Sequence, residues 1–119
     1  LKTWKQWDEF LGKRQSRKLG NNTYVQRRDD DIAIRLHDTD ILTWRKVEEG
    51  AADQITYSVG GRYGYGQGRW FAPTTKDRLN CYGPLNIWQE KGNWYFRGAH
   101  GLVYRFQNGM VIHVTSYGM

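Results

Sequence analysis

Cysteine occurs once in the 119 residues, at Cys81. A single thiol excludes an internal disulfide and a cysteine-rich zinc site, and it fits a reducing compartment, so the expected location is cytoplasmic. Long hydrophobic runs are missing as well. No stretch nears the ~18 apolar residues of a membrane-spanning helix, and LKTWKQWDEFLG has no apolar signal-peptide region, so no membrane partner is expected. The three histidines, His37, His100 and His113, are far apart and show no H-x-x-x-H, H-E-x-x-H or C-x-x-C spacing. No metal and no other cofactor is therefore expected. A nucleophile elbow, a phosphate-binding Walker loop and a dinucleotide fingerprint are also absent; GYGQG lacks the Lys-Ser/Thr pair and sits in no βαβ unit.

Acidic residues are scarce in one half only. Residues 60–119 hold two against seven basic residues, whereas residues 1–59 hold ten against eleven. The second half also carries 12 of the 18 aromatic residues. A basic, aromatic half is the electrostatic footprint of a polyanion binder, and it is also a common route to solubility. Six Trp and eight Tyr supply enough apolar area for this hydrophilic chain to fold, and its length suits a single domain spanning 1–119.

Thr3 and Gln6 form a capping-box pattern, and Trp4, Trp7, Phe10 and Leu11 recur at helical spacing, which predicts a helix over 3–12 with its aromatic stripe on the core. GKRQSRKLG reads as a solvated connector or, alternatively, as a phosphate-contacting arm. From Asn21 the period becomes two. TYVQRR and IAIRLH across DDD predict a β-hairpin, with Ile32, Ile34 and Leu36 on one face. HDTD predicts a bulge or tight turn before ILTW, and QITYSV and RWFA read as further strands. PTTKDRLNCYGP predicts a second helix after Pro73, capped by Thr74 or Thr75 and ended by Gly83 and Pro84. LNIWQE with NWYFRG around KG, and GLVYRF with MVIHVT around Asn108 and Gly109, predict two more hairpins. The expected fold is α+β: a curved antiparallel sheet or small open β-barrel with a short N-terminal helix and one short internal helix.

The segments NNTYV, RLHDTDI, TTKDRLN, KGNWYF and NGMVI, in this order over about residues 19–112, resemble a group of small uncharacterised proteins encoded by phages and prophages. The chain departs from that pattern in RYGYGQGRWFA and at Leu79, where Ile is usual. The resemblance implies a phage setting, with the host cell interior as location, and no particular chemistry.

Three functional readings follow. In the leading one the chain is a non-enzymatic accessory domain that binds a polyanion, above all single-stranded nucleic acid. Glycines at 60, 61, 64, 66 and 68 let the backbone approach a partner, while Arg62, Tyr63, Tyr65, Arg69 and Trp70 supply rings and guanidinium groups for bases and phosphates. Lys76 and Arg78, with the N–H groups opening the second helix, would hold one phosphate. In the second reading the surplus Trp and Tyr make a protein-interaction module, an inhibitor of a host factor or an assembly subunit. In the third, His37, Asp40, Thr75 and Asn80 form a polar site of a small hydrolase with Lys76 and Arg78, which requires the two segments to converge. Strand alternation counts against it, because His37 and Asp38 point to opposite faces.

Overall fold

The computed structural model describes residues 3–48, 50–59 and 73–114. Among them no helix is long and apolar enough to cross a membrane. The chain is α+β, with two short helices and two open antiparallel sheets, neither closed into a barrel.

Helix α1, Trp4–Leu11, starts at the expected capping box: Gln6 N donates to Thr3 Oγ1 at 3.0 Å, and Thr3 N donates to Gln6 Oε1 at 2.9 Å. Gly12, at φ 59°, ends it. Trp7 and Leu11 are buried, with Trp4 and Phe10 half-buried beside them.

The larger sheet has the order β1-β2-β3-β4-β5-β9. β2 (Thr23–Arg28) and β3 (Asp31–Leu36) form the expected hairpin across Asp29 and Asp30. The chain then turns at His37 and Asp38 into β4 (Thr39–Arg45). The register jumps from Ile34 opposite Leu42 to Arg35 opposite Asp40, so Ile41 is the extra residue of a bulge. Turn and bulge therefore coexist at HDTD. β5 (Asp53–Tyr57) follows, and cross-strand rows then define the two faces. Val25, Ile34, Leu42 and Tyr57 make one buried row, and Ile32, Trp44, Ile55 and Ile112 make the next. Tyr24, Gln26, Arg28, Arg35 and Asp40 point the other way.

β1 (Ser16–Gly20) corrects the reading of GKRQSRKLG as a connector. It is an edge strand paired antiparallel to β2. Leu19 is its only apolar side chain, so no alternation announces it. Its pairing comes from the backbone of β2, and its charged residues suit an edge.

Helix α2, Pro73–Tyr82, begins at Pro73 itself, a position proline favours because its missing N–H has no helical partner to lose. Thr74 and Thr75 thus lie inside the helix instead of capping it. Leu79 is fully buried, and the helix stops where Gly83 N donates to Leu79 O. A Cβ at Gly83 would collide with the Tyr57 hydroxyl, so glycine is required there for close approach. Burial is the main cause that pushes the Tyr82 phenol above its ordinary range.

The smaller sheet joins β6 (Ile87–Glu90), β7 (Asn93–Arg97) and β8 (Val103–Arg105). The Lys91–Gly92 hairpin forms as expected. The Asn108–Gly109 hairpin does not, since β9 (Val111–Val114) leaves the smaller sheet and pairs with β5. Gly109 N donates to Tyr57 O and Tyr57 N to Met110 O, with Gly109 at φ 85°, which is a glycine bulge against β5. The same Asn-Gly geometry serves a crossover between sheets.

Both helices lie on the buried face of the larger sheet, α1 against β2 and β3, α2 against β3, β4 and β6. Ile87, Trp94 and Phe106 of the smaller sheet and its exit join the same core. Two aromatic groups fill it: Trp7 against Phe10, Trp44 and Tyr82, and Phe106 between Tyr57 and Trp94.

Three charged groups tie α1 to the sheet. Asp53 Oδ2, buried, accepts from Trp4 N at 2.9 Å at the positive end of the helix. At the negative end Arg27 donates to Asp8 Oδ1 at 2.6 Å, Gly12 O at 2.7 Å and Arg14 O at 3.1 Å. Arg17 adds a bond to Phe10 O at 2.9 Å, with its guanidinium 4.1 Å from the Phe10 ring centroid. Hydrogen bonds to charged groups contribute about 1.5–3 kcal/mol each when well shielded, and half-exposed ones less. Arg27→Met should cost about 2 kcal/mol in urea unfolding, whereas Asp8→Ala, which leaves the carbonyl contacts, should cost well under about 1 kcal/mol. Equal losses would show that the ion pair, not the carbonyl clamp, holds the helix.

Candidate nucleic-acid interface

The residues expected to bind nucleic acid fall into two groups. Arg62, Tyr63, Tyr65, Arg69 and Trp70 lie outside the described residues, as does the expected RWFA strand. Lys76 and Arg78 are on α2, both half-buried. Arg78 Nε donates to Thr23 Oγ1 at 3.0 Å, and that hydroxyl donates to Asn21 O at 2.8 Å. The guanidinium therefore braces α2 against the buried face of β2.

The polar residues of the hydrolase reading do not converge. Asp40 takes a two-point ion pair from Arg28, at 2.9 and 3.0 Å, on the outer face of the sheet. The Asp40 hydrogen bond is the first cause holding the Arg28 guanidinium above its usual range. His37 is exposed in the turn at φ 56°; its N–H donates to Asn22 O, and its carbonyl accepts from Arg35. Asn80 and Thr75 belong to α2, which covers the opposite, buried face. The sheet itself separates Asp40 from Asn80. Among the described residues, no three His, Cys, Asp or Glu side chains gather as a metal-binding group.

Asn80 has a different role. Its Nδ2 donates to Ile87 O at 2.9 Å and its Oδ1 accepts from Ile87 N at 2.7 Å, so one amide side chain pairs with the strand backbone as a neighbouring strand would. This pair docks β6 on α2.

Docking β6 in this way fixes which side chains of the smaller sheet face outward. Ile87, Trp94, Phe96 and Tyr104 point to the core side, and the alternate positions point away. One cross-strand row then runs Trp88, Tyr95, Arg105, and the next holds Arg97 opposite Val103. The Trp88 and Tyr95 rings are 6.3 Å apart, inclined by 32°. Arg97 Cζ lies 6.0 Å from the Trp88 ring centroid. Each guanidinium is anchored by a hydrogen bond: Arg105 donates to Asn93 Oδ1 at 2.8 Å, and Arg97 to Gly101 O at 2.7 Å. Arg97, Arg105 and Val103 are exposed, while Trp88 and Tyr95 are half-buried. The face offers two ring surfaces and two cations, against one carboxylate at its end, Glu90.

None of these four residues stands out in the linear sequence as a site. Trp94, Tyr95 and Phe96 are all aromatic, which hides the alternation, and Arg105 reaches Tyr95 only because β8 pairs with β7 and not with β9. Comparison with protein-family models, curated proteins and solved structures finds no match to this chain.

Asn80→Ala would leave two backbone groups of Ile87 without partners, each worth about 1–3 kcal/mol when buried. Half-burial places the expected loss near the lower end, about 2 kcal/mol in urea unfolding. Slowed formation or loss of the β6–β7 amide protection should accompany it. Unchanged protection would show that the side chain is not what holds the strand.

Proposed function

We propose that this chain is a non-enzymatic accessory domain that binds single-stranded nucleic acid on the outer face of β6, β7 and β8. The observation that carries the proposal is the row Trp88–Tyr95–Arg105 with Arg97 over the indole. Rings standing on a sheet can stack only on bases whose faces are open, which duplex bases are not. Guanidinium groups beside them neutralise phosphates and stack in turn. The two rings and two guanidinium groups on this face bind and orient, and none of those four is a nucleophile or a general base near neutral pH. The charge asymmetry between the halves of the chain supports a polyanionic partner. Arg62, Tyr63, Tyr65, Arg69 and Trp70 offer the same chemistry from the segment before α2, with Lys76 nearby in sequence. The phage setting rests on the resemblance carried by RLHDTDI and TTKDRLN.

Fluorescence anisotropy with a labelled oligonucleotide of about twelve nucleotides, single-stranded and duplex, tests this reading. Binding should favour the single strand and weaken steeply between about 20 and about 150 mM salt. Trp88→Ala and Tyr95→Ala should each weaken it by roughly five-fold to one hundred-fold, the range of one lost base stack. Arg105→Ala should reduce the salt slope by about 0.7, one phosphate on a single strand. Preference for duplex, or full affinity in both aromatic variants, would overturn the site.

A further inference from the structure

The smaller sheet's inner face and β9 border a groove of about 510 Å3. Leu85, Phe96, Tyr104, Ile112 and Val114 line it, and Arg97 and His113 are the basic residues among its lining, which holds no carboxylate. Among the lining residues Tyr104 is unusually open to solvent, at 43%. A groove lined by five apolar side chains marks an interaction surface more often than exposed residues scattered singly do.

Backbone geometry shows what shape of partner fits. β9 is the last strand of the larger sheet, and Tyr57 N to Met110 O sets the alternation of its hydrogen bonds. Ile112 and Val114 therefore exchange their bonds with β5, and Val111 and His113 turn N–H and C=O outward. Among the described residues no strand takes those groups. The opposite edge, β1, is guarded by Arg17, Lys18 and a register irregularity at Lys18 and Gly20, whereas Val111, Ile112 and Val114 carry no such protection.

We infer that β9 accepts an extended, acidic segment of a partner protein as an added antiparallel or parallel strand, with alternate apolar side chains of that segment entering the groove. The charge of the rim selects the partner. Arg97 and His113 favour carboxylates, and a second copy of this chain, formally +6, would bring its own His113 edge against the first. This surface shares Arg97 with the outer face of the smaller sheet but none of Trp88, Tyr95 and Arg105, and the open edge of β9 stands whether or not that row binds nucleic acid.

Selection from a bead-bound library of random peptides of about ten residues tests it, because an extended strand of that length spans the edge and groove. Enriched peptides should alternate apolar and acidic residues, and the best one should slow amide exchange at Val111 and His113 by at least roughly ten-fold at saturation. His113→Pro removes one outward donor and should lower affinity by at least roughly ten-fold. His113→Glu, which keeps the strand's N–H groups, should do the same by charge. Lys18→Ala, on the opposite edge strand, should leave peptide binding unchanged. No enrichment, enrichment of basic or uncharged peptides, protection confined to other amides, or protection of Val111 and His113 by self-association as concentration rises would each overturn the inference.

Discussion

A helix of eight residues has too few internal hydrogen bonds to persist alone, and α1 exists because the larger sheet holds both of its ends. The buried Asp53 carboxylate meets the N–H of Trp4, and the Arg27 guanidinium gathers the carbonyls of Gly12 and Arg14 with the Asp8 carboxylate. Each charge complements the helix dipole at its own end. The clamp sets position, while burial supplies most of the free energy. Trp7, Trp44 and Trp94 each remove roughly 200 Å2 from water, on the order of 5 kcal/mol apiece at ~25 cal/mol per Å2. That sum is far larger than two caps can contribute. The caps instead decide where the Trp7 indole meets Trp44 edge to face, at 5.7 Å between centroids.

From that contact order extends to the smaller sheet. Phe106 packs between Tyr57 and Trp94, and Asn80 fastens β6 to α2 through Ile87. With Ile87, Trp94 and Phe106 committed to the core, the alternation of the strands leaves Trp88, Tyr95 and Arg105 no choice but the outer face. The proposed binding row is thus a by-product of core packing and needs no loop to arrange it. Its side chains begin from positions that are already ordered, which lowers the entropy lost on binding.

Local chemistry was legible in the sequence where the partner lay a few residues away. Thr3 and Gln6 announce α1, Asp29–Asp30 and Lys91–Gly92 announce hairpins, and HDTD announces an irregularity between strands. Partner choice over long distances was not. Asn108–Gly109 has the right composition for a hairpin, yet Gly109 makes its bulge against Tyr57, far back in the chain. β1 has one apolar residue and is a strand only because β2 offers it an edge. The same limit applies to the site: Asp40 answers to Arg28 and Asn80 to the backbone of Ile87, partners that spacing along the chain does not reveal. The ring pair became visible only once β6 and β7 had a register.

Assignment of the tryptophan indole and backbone amide resonances by NMR, followed through a titration with a short single-stranded oligonucleotide, tests the central claim most directly. The account predicts that the Trp88 indole and the amides of Tyr95, Arg97 and Arg105 move together, while the indoles of Trp7, Trp44 and Trp94, buried in the core, stay in place. Movement confined to the outer face of the larger sheet, around Tyr24, Arg28 and Arg35, or no movement at any residue at low salt, would contradict it.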